Sequence, residues 1–227
     1  MLYEDLAGRL AEVRERIAAA VARGGHGQSV TVVAVTKTHG PDAVRAAWNA
    51  GVHDVGENRV QEALPKMHAV TEPVRWHLIG HLQRNKVKAV DDFTLLHSVD
   101  SRRLAEAVHE HGVSRRRPVH ALLQLNVSGE TSKGGFAPAD VEPVGEWLCG
   151  CGGIAVQGVM TMAPLDAPEA ALREIFAGAH AARDTLCRLG HPAAELSMGM
   201  SGDYEVAVEE GATMVRLGTI LFGARGT

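Results

Sequence analysis

A closed (β/α)8 barrel with one extra N-terminal helix is the fold that this sequence predicts. Three observations lead there. Eight short segments rich in Val, Ile and Leu, each bounded by turn residues, read as strands. Helix-like patterns fill the gaps between them, which means parallel strands joined by right-handed crossovers. No G-x-G-x-x-G follows the first strand, which counts against the competing doubly wound open sheet.

The elements follow in order. Leu2, Leu6, Leu10, Val13 and Ile17 recur at steps of three and four, so the chain opens on an amphipathic helix that ends at Gly24, Gly25 and Gly27. The strand segments are Val30 to Lys37, Val52 to Glu57, Arg75 to Gly80, Leu95 to Asp100, Val119 to Val127, Ile154 to Met160, Glu195 to Met200 and Thr213 to Gly218. Pro41-Asp42 opens a helix that stops at Gly51. Asp100-Ser101 caps a helix through His111, with Gly112 ending it. Asp166 and Pro168 start the long helix to Leu189, closed by Gly190. Ser201 caps a short helix through Glu210, and the last helix is truncated. No linker or composition break divides residues 1–227, so they read as a single domain.

Composition narrows the function classes. At 45% hydrophobic and 22% charged residues, the chain has the make-up of an ordinary soluble protein. A net charge of −4 argues against a nucleic-acid binder that works through bulk positive charge. Cys149, Cys151 and Cys187 are an odd number without a C-x-x-C pair, against a disulfide framework or a cysteine zinc site. No apolar run is long enough to span a membrane. The N-terminus carries acids and lacks the continuous apolar region of a signal peptide. The expectation is a cytoplasmic protein.

In a barrel, chemistry sits in the loops after the C-terminal ends of the strands. Lys37 ends a strand of almost pure Val, Ala and Thr. Partial burial there would favour the neutral amine, the form that condenses with an aldehyde or ketone to a Schiff base. The competing reading is a lysine that snorkels from the strand end or pairs with an acid. SMGMSGDY and VRLGTI follow the seventh and eighth strands. Backbone N–H groups of Gly199, Met200, Ser201, Gly218 and Thr219 could converge there on an anion, and barrels commonly bind phosphate at these two loops. The alternative is ordinary turns with a serine cap. Lysine and cradle together point to pyridoxal 5′-phosphate, a form of vitamin B6, or to a sugar phosphate. Arg216 shares a strand face with Gly218 and could meet a pyridine nitrogen, or form a salt bridge at the barrel mouth.

These residues lie within stretches that resemble the pyridoxal-phosphate homeostasis protein family, which has the alanine racemase N-terminal-domain fold. The stretches are VAVTKT, VGENRVQEA, WHLIGHLQRNK, HSVDS, LLQLNVSGETSKGGF, GVMTMAPL and LSMGMSGDYEVAVEEGATMVRLGTILFG, in order along nearly the whole chain. The resemblance implies a single barrel binding pyridoxal phosphate, without the second β domain of alanine racemases. It implies that Lys37 carries the cofactor as a Schiff base. Ser201, Gly218 and Thr219 match phosphate-binding positions, Arg216 matches the arginine at the pyridine nitrogen, and Asn58 matches a residue near the cofactor. Met200 and Ser197 lie nearby. His39, Arg59 and His81 depart from the family's usual residues, outside that essential set.

Arginine is always charged and has no acceptor, so a pyridine nitrogen opposite it stays unprotonated and the ring is a poor electron sink. A racemase also needs a second proton carrier. Tyr3 is expected far from the mouth, and Tyr204 is expected to pack at a helix start. The leading reading is therefore a monomeric binding protein that holds, buffers and releases pyridoxal phosphate, with apo-enzymes that use the cofactor as recipients and no strong catalysis of its own. A weak amino-acid racemase and a lysine-dependent aldolase are the alternatives. Metal sites at His77/His81 or His109/His111 are not expected, the SRRRP run reads as a solvated loop, and the cysteines read as free thiols. Glu57 could pair with Lys37 or with Arg216.

Overall fold

The computed structural model describes residues 3–129 and 134–223. Leu2 and the segment 130–133, which includes part of the LLQLNVSGETSKGGF stretch, lie outside the described residues. The chain runs α1 (Leu6–Gly24), β1 (Thr31–Val35), α2 (Pro41–Asn49), β2 (Asp54–Glu57), α3 (Val60–Ala69) and β3 (Arg75–Leu78). A 3-10 segment (Arg84–Asp92) leads to β4 (Leu95–Val99), α4 (Arg102–Arg115) and β5 (Val119–Leu125). After a 3-10 turn (Pro138–Asp140) come α5 (Val141–Cys149), β6 (Ile154–Thr161), α6 (Glu169–Arg188), β7 (Glu195–Ser197), α7 (Tyr204–Glu209), β8 (Met214–Leu217) and α8 (Thr219–Phe222). The eight strands close in sequence order, and β1 pairs in parallel with both β2 and β8. This is the expected barrel.

Residues alternate between two environments along each strand. Ala34, Leu78, Leu96, Leu123, Val159, Leu196 and Val215 face outward into one apolar layer shared with the helices. Leu6, Leu10, Val13, Ile17 and Ala20 are the buried stripe of α1, which joins that layer. The inward positions hold a small apolar cluster of Val33, Leu95, Leu122, Met160 and Met214. They also hold buried polar groups: Asp54, His77, His97, Ser197 and Arg216. Barrel interiors are usually filled by branched apolar side chains, so this polar set is a departure.

Several local expectations need correction. β1 ends at Val35, so Lys37 lies in the following turn and not in the strand. α4 runs past Gly112 to Arg115, because Gly112 packs where a Cβ would lie 1.9 Å from Gly153 O. Ser101 caps α4 as expected, accepting from Leu104 N at 3.4 Å. Asp166 precedes Pro168, the N-cap of α6, and has φ +57° in a turn. Asp203, not Ser201, occupies the N-cap position of α7. α3 forms with Pro65 inside it, a residue that removes a backbone donor and disfavours a helix interior.

Candidate functional site

The loops at the C-terminal ends of the strands enclose a cavity of about 780 Å³. Lys37, Asn58, Met200, Ser201, Arg216, Gly218 and Thr219 all line it. The structure thus brings together seven residues spread over 183 positions of sequence (219 minus 37, counting both ends).

Lys37 is exposed at the cavity mouth rather than partly buried. Among the described residues its amine has no ion pair or hydrogen bond. The turn that carries it is held from below. Thr36 is fully buried, its carbonyl accepts from His39 N at 3.0 Å, and the same carbonyl accepts from Lys66 Nζ at 2.7 Å. Glu57 Oε1 accepts from Thr36 Oγ1 at 2.5 Å and from Lys66 Nζ at 2.6 Å. Glu57 therefore pairs with Lys66 of α3, not with Lys37 or Arg216. Thr38 has φ +69°, a conformation a β-branched residue rarely adopts, so the turn is set against local preference.

Arg216 projects from β8 into the barrel and is 4% exposed. Nη1 donates to Ser197 O at 2.7 Å and to Ser197 Oγ at 2.6 Å, and Nη2 donates to Thr161 O at 2.9 Å. No carboxylate forms an ion pair with it among the described residues. Burial pulls the guanidinium down to about 10, partly opposed by the charge of Asp203, so it stays cationic at neutral pH. The expected salt-bridge alternative is not found. The guanidinium is a fixed cation at the cavity wall, suited to a neutral acceptor or an anion.

The loops after β7 and β8 form the third wall. Gly199 has φ +92°, and a Cβ there would lie 2.7 Å from Ala207 Cβ and 2.9 Å from Tyr204 Cα. Only glycine fits that bend. Met200 N donates to Asp203 Oδ1 at 2.6 Å, so this N–H is already engaged. Burial raises the Asp203 carboxyl, partly opposed by that hydrogen bond and by Arg216. The N–H groups of Ser201, Gly218 and Thr219 have no acceptor among the described residues. Ser201 Oγ accepts weakly from Ile220 N at 3.4 Å, which ties the two loops together. Three open backbone donors and two hydroxyls suit the oxygens of a phosphate monoester.

An exposed primary amine, an unpaired buried cation and a phosphate-sized set of donors share one cavity. Such a site can hold a phosphorylated ring that carries a carbonyl for the amine and an acceptor for the guanidinium.

Other residues line the cavity besides those assigned to the cofactor, and His81, Asp100 and Met162 among them stand at strand ends, where the sequence places function. His81 and Asp100 hydrogen-bond at 2.8 Å on the cavity wall. Asp203, Gln124 and Met162 line it too, and Leu165 stands at its rim 89% exposed. Of these, Asp203 carries a signal: it is an acid two residues after Ser201 in SMGMSGDY, directly before the helix that it caps.

The tyrosines also need adjustment. Tyr3 lies close to the mouth after all, because its hydroxyl meets His39 Nδ1 at 3.1 Å beside the Lys37 turn. Tyr204 is 2% exposed in the apolar layer of the barrel, as a packing residue would be. Neither lines the cavity. No cluster of metal-ligating residues exists among the described residues. The three cysteines are unpaired thiols.

A model of the family described as "Alanine racemase, N-terminal domain" matches residues 9–226. Fold and site thus define a barrel of the alanine racemase N-terminal-domain class. The pyridoxal phosphate homeostasis protein of Aquifex aeolicus (strain VF5) is 40% identical over 96% of this chain and 97% of its own. That of Pseudomonas aeruginosa is 41% identical over 99% of this chain and 96% of its own. The chain belongs to the pyridoxal phosphate homeostasis protein family. The structure of PipY of Synechococcus elongatus with PLP bound superposes with a TM-score of 0.84 at 37% identity, covering 96% of this chain and 100% of PipY. Alanine racemase of Corynebacterium glutamicum, at 16% identity and a TM-score of 0.71, shares the fold over 93% of this chain and 61% of its own.

Proposed function

We propose that this protein binds pyridoxal 5′-phosphate and buffers it, holding the aldehyde through a Schiff base with Lys37. The observation that carries this reading is the pairing of the unpartnered Lys37 amine with the open donors of Ser201, Gly218 and Thr219 in one cavity. The names of its relatives and the PLP-bound PipY structure support the same cofactor. Asn58 is assigned to the cofactor's edge and Met200 to the phosphate loop.

Arg216 supports a carrier over a catalyst. An acid at the pyridine nitrogen would keep it protonated and make the ring an electron sink. Arg216 has only donors there, so carbanions next to the ring gain little stabilisation. No tyrosine lines the cavity to act as a second base. The role of the chain is thus to keep a reactive aldehyde from stray amines and to pass it to apo-enzymes that need it. We take residues 1–227 as one unit, active as a monomer. No helix among the described residues is long and apolar enough to cross a membrane. Three unpaired cysteines fit a reducing, cytoplasmic setting.

Spectrophotometric titration of the purified protein with pyridoxal phosphate tests this, together with a turnover screen over amino acids. The expected result is a visible band that saturates at one equivalent and is lost in Lys37→Ala, with negligible turnover. Racemisation faster than free pyridoxal phosphate gives, abolished by Lys37→Ala, would favour the weak-racemase reading. His81 with Asp100 would then be the proton carrier to examine.

A further inference from the structure

The polar groups inside the barrel form one continuous series of contacts. Arg216 Nη1 meets Ser197 Oγ at 2.6 Å. Ser197 Oγ meets His97 Nδ1 at 2.9 Å, His97 Nε2 meets His77 Nδ1 at 2.9 Å, and His77 Nε2 meets Asp54 Oδ1 at 3.0 Å. Arg75 closes the far end, with Nε and Nη2 on the two Asp54 oxygens at 2.8 and 2.5 Å. Asp54 and Arg75 stand at the starts of β2 and β3, whereas Arg216 lines the cavity at the other end. The series therefore crosses the barrel.

Chemistry fixes its direction. Arg216 can only donate, so Ser197 Oγ accepts from it. An ionised Asp54 can only accept, so His77 Nε2 carries a hydrogen. His97 is fully buried, and burial, with the charge of Arg216 added, holds it well below the usual histidine range. It is therefore neutral with a single ring proton. With that proton on Nε2, it donates to His77 Nδ1, and its own Nδ1 accepts the Ser197 hydroxyl. Every donor then has an acceptor. The opposite tautomers would turn the Ser197 proton toward Arg216, a second donor, and strand it.

We infer that Ser197, His97 and His77 are positioning residues: a one-way hydrogen-bond chain, anchored on Asp54 at the closed end of the barrel, fixes the Arg216 guanidinium where it meets the cofactor ring. Ser197 is the pivotal link. Its hydroxyl donates to His97 and so presents its lone pairs to Arg216. Without the imidazole acceptor, the hydroxyl rotates and competes with the guanidinium. The contact with the ring rests on the reading of the cavity given above, whereas the chain itself does not.

The test therefore has a part without ligand and a part with it. In ¹⁵N NMR of the ligand-free protein, His77 and His97 should both be protonated on Nε2 and not on Nδ1. The Arg216 guanidinium signals should be separate and slow to exchange, and should broaden in Ser197→Ala. A proton on His97 Nδ1, or an Arg216 unaffected by Ser197→Ala, overturns the chain. With pyridoxal phosphate, Ser197→Ala and His97→Leu should shift the visible band and weaken binding roughly tenfold. Inorganic phosphate should bind as before. His97→Gln, whose amide can both accept and donate, should restore most of the wild-type band. An unchanged band and affinity in Ser197→Ala refutes the positioning role. Absence of any band in the wild type defeats the cofactor reading instead, and the ligand-free signals still decide the chain.

Discussion

Lys66 donates its ammonium to Glu57 at 2.6 Å, and the same ammonium donates to the carbonyl of Thr36, the residue before Lys37. Both side chains are buried, with Glu57 0% and Lys66 7% exposed. This pair is the floor of the turn that presents the Lys37 amine. Among the described residues Glu57 Oε2 has no hydrogen-bond partner, and the carboxylate is held by Lys66 and Thr36.

Lys66→Met should therefore leave an uncompensated buried carboxylate and destabilise the protein by roughly 3–5 kcal/mol. The double variant Glu57→Gln with Lys66→Met removes both charges and should be milder than the single one. Urea unfolding of the three proteins checks this. A double variant less stable than Lys66→Met would show that the pair is not coupled in this way.

Gly199→Ala should destabilise by about 1–3 kcal/mol, since it forces a side chain into left-handed backbone space and against Ala207 and Tyr204. It should also weaken pyridoxal phosphate binding, because the bend aligns the loop after β7. Thermal unfolding and a binding titration read the two effects. A variant of wild-type stability would mean that the loop has another conformation open to it.

The phosphate contacts have a selective signature. Ser201→Ala and Thr219→Val each remove a hydroxyl from the proposed cradle. Each should weaken pyridoxal phosphate binding about tenfold, the worth of one charge-assisted hydrogen bond of about 1.4 kcal/mol. Binding of pyridoxal, which lacks the phosphate, should change little. Equal losses for both ligands would place the phosphate elsewhere.

Acid should act on the interior chain in two stages. Burial alone would raise the Asp54 carboxyl, but hydrogen bonds from His77 and Arg75 and the charge of Arg75 outweigh it and leave it at about 2. Its contribution is complete above the ordinary aspartate value near 4, and is lost as pH falls toward 2. His97 is held neutral in the fold, while the unfolded histidine takes a proton below about pH 6.5. The unfolded state then binds more protons, so stability falls as pH drops below about 6.5, with a slope of up to about 1.4 kcal/mol per pH unit. His97→Gln should flatten the curve between about pH 6.5 and 4.5 and leave the later, Asp54-dependent fall. Unfolding midpoints across that range measure it. An unchanged slope in His97→Gln would assign the acid sensitivity to another group.

The barrel was legible because its signals are local. Eight apolar runs and the turns between them can be counted along the chain, and the buried stripe of α1 repeats every three or four residues. Lys37, Arg216 and the Ser201 and Gly218 loops were legible because a barrel gathers all strand ends at one mouth. Pairings across strands were not. Glu57 meets Lys66 only because α3 forms despite Pro65 and swings its last turn beneath the β1 loop. His77 and His97 lie 20 residues apart, and only the closure of neighbouring strands joins them to each other and then to Ser197. Tyr3 reaches the mouth because it precedes α1, which packs alongside α7 and α8 at that end of the chain. Such contacts depend on register and helix placement, which residue pattern alone does not encode.

Borohydride reduction in the presence of pyridoxal phosphate, followed by peptide mass mapping, tests the central claim most directly. The account expects one phosphopyridoxyl group per chain, on Lys37, and none on Lys37→Ala under the same conditions. A label on other lysines with Lys37 unmodified, or no label at a concentration that saturates the visible band, would contradict it.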